Sequence, residues 1–337
     1  MRIALDATGG DLGSELLLDG ALLAINKRSD LEVVLLGPED ILSEQVARRA
    51  GSEKGTSRLS IVHASQTVSM DESPVDAVRK KKDSTILVGF DLVKNGKADA
   101  MVSAGNSGAT LAAAIRKLGR LKGIARPGIA SLFPTLNDPV MLMDIGANVD
   151  CRPQHLFQFA IMASSCSALL FNKDRPSIGL LSIGEEPSKG NQLVKEAYSL
   201  LQESSLNFIG NVEGRDVYKG EVDVIVCDGF VGNVSLKISE GLAEAAMQML
   251  KTEIMQSLRA KIGYLFIRKA FKAFRTRLDY AEYGGAPLLG INGIGIICHG
   301  SSSSLAICNA IGEAANMVES RVNDSIMKTL AQATGQK

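Results

Sequence analysis

Arg2-Ile3-Ala4-Leu5-Asp6, then Ala7-Thr8-Gly9-Gly10-Asp11, then a helical pattern over Ser14–Lys27, then Glu32-Val33-Val34-Leu35-Leu36: these first 36 residues read as strand, glycine loop, helix, strand. The second run has no polar alternation, the mark of a strand buried on both faces. Further runs repeat the pattern at Leu59–His63, Ala98–Ser103, Ile129–Phe133, Met141–Ile145, Ser177–Ile183, Asn207–Ile209, Val222–Cys227 and Ile294–Cys298. Helical patterns lie between them at Pro38–Arg49, Thr85–Asn95, Ser107–Leu121, Pro153–Phe171, Asn191–Glu203, Val234–Lys251 and Ser303–Glu319. Alternation of this kind predicts a doubly wound α/β fold with a largely parallel sheet. Ser14 is the expected N-cap of the first helix, Gly51–Ser57 a polar loop and Ala331–Lys337 a flexible tail.

Composition agrees. The chain has 337 residues, 45% of them apolar and 22% charged, enough apolar content to bury a core. No apolar run reaches the ~18 residues of a membrane span, and the N-terminus reads as a strand with no signal-peptide core. Five dispersed cysteines, Cys151, Cys166, Cys227, Cys298 and Cys308, lack metal spacing and suggest reduced thiols in the cytoplasm. Lys and Arg total 37, as do Asp and Glu, so no nucleic-acid partner is expected.

Five strand ends carry Gly with Asp, Asn or Ser: Asp6–Asp11, Ser103–Gly108, Asp144–Asn148, Ile183–Asn191 and Cys227–Asn233. In open α/β sheets ligands bind beyond the carboxyl ends of strands, and glycine there lets backbone N–H groups approach an anion. The expectation is an anion-accepting cleft with all five loops at one rim. There is no P-loop, no dinucleotide fingerprint after the first strand and no nucleophile elbow. The three histidines, His63, His155 and His299, are read as structural, His299 with the least conviction because it adjoins a Gly/Ser loop.

Four of these stretches, at Asp6–Asp11, Ser103–Ala109, Asp144–Asp150 and Asp228–Asn233, together with Asn211-Val212-Glu213-Gly214-Arg215-Asp216 and Tyr283-Gly284-Gly285-Ala286-Pro287-Leu288-Leu289-Gly290, resemble the bacterial acyl-ACP:phosphate acyltransferases of phospholipid synthesis, the PlsX type. The match runs in order from residue 1 to about residue 325. Thr8, where the family usually has Met, and Leu12-Gly13 depart from the pattern. The resemblance implies a three-layer α/β/α sandwich like the phosphotransacetylase and isocitrate/isopropylmalate dehydrogenase folds, in one catalytic unit over residues 1–330. It implies a homodimer that moves a fatty acyl chain from acyl carrier protein to inorganic phosphate. A membrane glycerol-3-phosphate acyltransferase then consumes the acyl phosphate. Location is expected in the cytoplasm, peripherally on the inner face of the membrane. No cofactor and no metal is called for.

With phosphate as nucleophile, no covalent enzyme intermediate is needed; the site must hold an anion and stabilise an oxyanion. Lys189, Asn233 and Asp228 are the candidate catalytic residues. Gly9, Gly10, Asp11, Gly105, Asn106, Ser107, Asn148, Asn191 and Lys237 are the candidate substrate-binding residues, with Arg215 a further cation. Asp6, Asp11, Asp144 and Asp228 are expected to orient loop N–H groups or lysines, since they repel phosphate. A nicotinamide-linked dehydrogenase of similar fold and a non-enzymatic lipid- or carrier-binding protein are the alternatives.

Residues 251–280 stand apart as a basic segment inserted in the catalytic unit. They hold eight basic residues against Glu253 and Asp279. At 100° per residue, Phe266, Ile267, Ala270, Phe271 and Phe274 share an arc of about 140°, opposite Arg268, Lys269, Lys272 and Arg275. Gly263 is expected to break this helix from the preceding one. The pattern suits an anionic membrane surface; docking of the acidic carrier protein, or packing on a dimer partner, are the other readings.

Overall fold

A computed structural model describes residues 1–50, 55–278 and 284–334, without the side chains of Arg275, Arg277 and Leu278. The expected loop at Gly51–Lys54, the tail from Gly335, and Tyr280 and Tyr283 lie outside the described residues.

The chain runs β1 (Arg2–Asp6), α1 (Ser14–Lys27), β2 (Glu32–Gly37), α2 (Glu39–Ala50), β3 (Leu59–His63), α3 (Pro74–Lys80), α4 (Thr85–Lys94), β4 (Ala100–Ser103), α5 (Ser107–Leu118), β5 (Gly128–Phe133) and β6 (Val140–Met143). It continues α6 (Pro153–Leu170), β7 (Ile178–Leu181), α7 (Gln192–Gln202), β8 (Phe208–Val212), β9 (Val224–Val226), α8 (Gly229–Gln256), α9 (Leu258–Leu278), β10 (Ala286–Leu289), β11 (Gly295–Ile297), α10 (Ser304–Glu319) and α11 (Val322–Ala333). The strands form one sheet in the order β3-β2-β1-β4-β11-β10-β5-β6-β9-β7-β8.

Side-chain alternation sorts the core into two faces. Ile3, Leu5, Val33 and Leu35 pack with residues of α1, α6, α10 and α11. Ala4, Val34 and Leu36 pack with α4 and α5. Both faces of the strands are therefore covered, which is why their sequences carry unbroken aliphatic runs. The result is the expected three-layer sandwich.

The expectation of a single rim does not hold. β10 pairs antiparallel with both β11 and β5, and β5 pairs antiparallel with β6; the other pairings are parallel. Strand polarity thus reverses across the middle of the sheet. β1, β4 and β11 end at one edge, whereas β6, β9, β7 and β8 end at the other.

Other departures are local. Gly13, with φ 84°, occupies the N-cap of α1, and Ser14 is the first helical residue. α8 begins at Gly229 rather than near Val234. Gly263 lies inside α9, and the break between α8 and α9 falls at Ser257. Ala331–Ala333 belong to α11, whose Leu330 is buried, so the expected tail is helical there. β10, α3 and α11 were not anticipated.

α8 is buried at its start and, among the described residues, is held further along through a hydrogen bond between Ser239 and Tyr218. Gly229, Gly232 and Leu236 are its buried residues. At about 1.5 Å per residue, its 28 residues extend about 42 Å, and the 21 residues of α9 follow after the break at Ser257. The pair carries exposed Leu242, Met249, Leu258, Ile262, Phe266 and Phe274.

Candidate active site

The five glycine loops form two groups, one at each edge of the sheet. At the first edge, Asp6 is buried at the end of β1. Its Oδ1 accepts from the Thr8 and Gly9 N–H groups (3.1 and 3.0 Å) and from the Thr8 hydroxyl, and its Oδ2 accepts from the Ser103 hydroxyl at 2.8 Å. Ser103 Oγ in turn accepts from the Gly105 N–H, so the loops after β1 and β4 close on one carboxylate. The Asp11 N–H donates to the Gly300 carbonyl at 2.8 Å, tying in the loop after β11, and Gly10 turns the chain with φ +92°.

Asn106 sits among these loops fully engaged. Its Oδ1 caps α5 by accepting from the Ala109 N–H, and its Nδ2 donates to the carbonyls of Ser69, Met70 and Glu72 at 2.9 to 3.2 Å. The expected contact of this amide with phosphate is therefore not available; Asn106 binds a neighbouring stretch of chain. Ser107 is exposed at the first residue of α5. His299 shares a hydrogen bond with Ser301 through Nδ1 at 2.7 Å, while His63 and His155 accept backbone N–H bonds.

At the second edge, Asp144 follows β6 and is fully buried. Oδ1 accepts from the N–H groups of Ile129, Gly146 and Ala147, and Oδ2 from the backbone N–H and side-chain amide of Asn148 at 2.7 and 2.9 Å. Burial pushes its pKa above the usual carboxylate range, against the pull of the bonds from Asn148, Ala147 and Ile129. Asn148 Nδ2 also donates to the Pro127 carbonyl, so this amide, too, is engaged in scaffold and is not free for substrate.

α8 is set directly on that loop. The Gly229 N–H donates to the Asn148 carbonyl at 2.8 Å. A Cβ at Gly232 collides with the Asp144 carbonyl, so only glycine allows this approach. Asp228 is the N-cap, its Oδ1 accepting from the N–H groups of Phe230 and Val231 at 3.0 and 2.9 Å. Through Oδ1, Asp228 anchors the start of the helix. One turn on, Asn233 is exposed and faces Gly146: a Cβ there would lie 3.7 Å from its Oδ1. Its amide makes no hydrogen bond among the described residues.

β9 neighbours β7, at a strand spacing of about 4.8 Å, so the loop from β7 to α7 leaves the same edge as the start of α8. It carries Lys189, exposed and without an ion pair among the described residues. The other candidate cations are paired: Arg215 with Glu213 at 2.8 Å and Glu185 at 4.0 Å, and Lys237 with Glu240 at 2.7 Å. Asn191 caps α7 by accepting from the Val194 N–H, so its oxygen, too, is engaged.

Thiol catalysis is disfavoured. Burial pushes Cys151 up to about 11, and burial raises Cys227, Cys166 and Cys298 as well. No helix among the described residues is long and apolar enough to cross a membrane.

Sequence reasoning missed the residues that make these loops rigid. Pro127 and Ile129 hold the Asp144 loop from outside it, and Ser69–Glu72 is the stretch that Asn106 binds. Asn211 was quoted in a motif without a role; it donates to Glu186 in the Lys189 loop. Partners separated by tens of residues leave no local signal.

One mixed sheet between two helix layers, with polarity reversing at its centre and glycine loops at its edges, is the fold class of the phosphotransacetylases. The chain superposes on a phosphotransacetylase from Streptococcus pyogenes with a TM-score of 0.64 at 19% identity, covering 95% of this chain and 94% of that one. A 4-hydroxythreonine-4-phosphate dehydrogenase from Klebsiella pneumoniae shares the fold at 12% identity and a TM-score of 0.53, with 94% and 97% covered. The chain belongs to the family described as "Fatty acid synthesis protein", whose model matches residues 1–325. It is an acyltransferase: a relative from Geotalea uraniireducens named "Phosphate acyltransferase" is 53% identical over 332 residues, 98% of this chain and 95% of the relative.

Proposed function

We propose that this enzyme transfers a fatty acyl group from acyl carrier protein to inorganic phosphate. The observation that carries the reading is that Lys189 on the β7–α7 loop and Asn233 early in α8 lie at one sheet edge, the first without an ion pair and the second without a side-chain hydrogen bond among the described residues. Lys189 holds phosphate beside the thioester. A phosphate oxygen attacks the carbonyl carbon, and the Asn233 amide donates to the oxygen that gains charge. Collapse breaks the carbon–sulfur bond; acyl phosphate forms, and the carrier thiolate leaves and takes a proton from water. The relatives' printed name supports phosphate as acceptor. The likeness to a dehydrogenase is one of fold and favours no hydride chemistry.

The same reading places the product with a membrane glycerol-3-phosphate acyltransferase in phosphatidic acid synthesis. The exposed apolar residues of α8 and α9 support contact with an anionic membrane surface and pairing of two copies as a homodimer. Phe266 is 84% exposed and Phe274 51%, beside the cations Arg268, Lys269 and Lys272. The side chain of Arg275 lies outside the described residues. Ile267 is exposed, and Phe271 stacks edge-on against Tyr264. The Phe266→Glu, Phe274→Glu double variant is expected to lose sedimentation with anionic liposomes while keeping activity on soluble acyl carrier protein; unchanged sedimentation refutes the membrane reading.

Single-turnover release of carrier thiol tests the reaction itself. Release that requires phosphate supports the proposal, and equal release without phosphate refutes it.

A further inference from the structure

We infer that Asn211 is a positioning residue for Lys189, an inference that rests on the assignment of Lys189 to phosphate. Asn211 lies in β8, directly opposite Leu180 of β7, and is only 6% exposed. Its Nδ2 donates to the Glu186 carbonyl at 2.9 Å. The Lys189 backbone N–H donates to that same carbonyl, also at 2.9 Å. One oxygen therefore ties the backbone of the cation to a side chain rooted in the sheet.

The stem of Lys189 is held from a second side. A Cβ at Gly184 would come within 2.8 Å of Lys189 Cγ, so the stem lies across a bare Cα. The root of Lys189 is thus held at two points: the peptide through Glu186, and the first methylenes against Gly184. A lysine without an ion pair has many rotamers, and holding its root reduces the freedom lost when phosphate binds.

The other half of the Asn211 amide shows what the residue is for. Among the described residues, its buried Oδ1 has no hydrogen-bond partner, and neither has the buried Ser182 Oγ just after neighbouring β7. A buried polar atom without a partner is unfavourable, and an aliphatic residue of similar shape avoids it. The one hydrogen bond this side chain makes among the described residues is the donated bond to the Lys189 loop.

The Asn211→Asp variant keeps the shape but sets an oxygen against the Glu186 carbonyl. In otherwise wild-type enzyme, the expected result is a fall of about tenfold or more in acyl phosphate formation. The KM for phosphate should rise while that for acyl carrier protein holds. In the Lys189→Ala background the same change should cost less than about twofold, because the group it positions is gone. Gly184→Ala, which displaces the stem without touching Asn211, should behave likewise and serves if Asn211→Asp does not fold. Equal losses in both backgrounds, or a rise in the KM of both substrates, overturn the inference. Wild-type activity in Lys189→Ala alone refutes instead the assignment on which it rests.

Discussion

The loop after β1, Asp6-Ala7-Thr8-Gly9-Gly10, and the loop after β6, Asp144-Ile145-Gly146-Ala147-Asn148, are close in composition and in construction. Each winds around a buried carboxylate that gathers N–H groups. They differ in what stands beside them. Next to Asp6, the Asn106 amide is bound to three carbonyls and a helix N–H. Above Asp144, among the described residues, the Asn233 amide has no hydrogen bond and Lys189, on the adjoining loop, has no ion pair. An acid with glycines thus builds a rigid edge in both places. The uncommitted side chains over one of them distinguish a reaction site from a scaffold.

The comparison is most exposed to Lys189→Ala and Asn233→Ala. Loss of a cation holding the nucleophile, or of an oxyanion donor, is expected to lower turnover by about 10²-fold or more, by analogy with oxyanion-hole deletions. Both variants should keep the wild-type circular dichroism spectrum and thermal midpoint. If either retains wild-type steady-state rates, the second edge is also scaffold and the contrast disappears.

The mirror-image variant has the next largest effect. Asn106→Ala frees three carbonyls and removes a helix cap, so it should lower unfolding free energy in urea by about 1–3 kcal/mol. Its turnover, measured well below the thermal midpoint, should stay within a few-fold of wild type. Unchanged stability with lost turnover would reverse the roles of the two edges.

The smallest effect separates two acids of the second half by pH. Burial raises the Asp144 pKa, so its contribution to stability is full below the unfolded value, about 4, and declines as pH rises through the folded value. Asp223 is shifted the other way: burial opposes, but the Lys173 ammonium at 2.6 Å and the Ser177 N–H and hydroxyl outweigh it. Its contribution is present above the unfolded value and is lost as pH falls through the lowered one. Asp223→Asn should therefore flatten the fall in urea midpoint on acidification from pH 6 to pH 3. An unaltered slope removes Asp223 from the account.

Much of this architecture is legible in the amino acids. Val33–Leu36 and Val224–Val226 announce strands buried on both faces, and the helices between them start within a few residues of their apolar patterns. β10 is masked by Pro287 and by Gly284, Gly285 and Gly290 on either side, which read as turn rather than strand. The reversal of polarity comes from the antiparallel pairing of β5 with β6; both runs are legible, but hydrophobicity does not encode the direction of a strand. Gly263 misled because a glycine in an exposed helix costs only about 1 kcal/mol and need not end it. Lys189 and Asn233 could be picked from their loops, but the engagement of Asn106 and Asn148 could not. Their acceptors lie 34 and 21 residues away in the chain at Glu72 and Pro127.

Crystals soaked in inorganic phosphate test the central claim most directly, because they ask which of the two edges receives the anion. Density bridging Lys189 Nζ and the Asn233 amide, and absent when Lys189→Ala crystals are soaked alike, is the result expected. Density over the Asp6–Gly10 loop and Ser107 at the opposite edge, with none beside Lys189, contradicts the account.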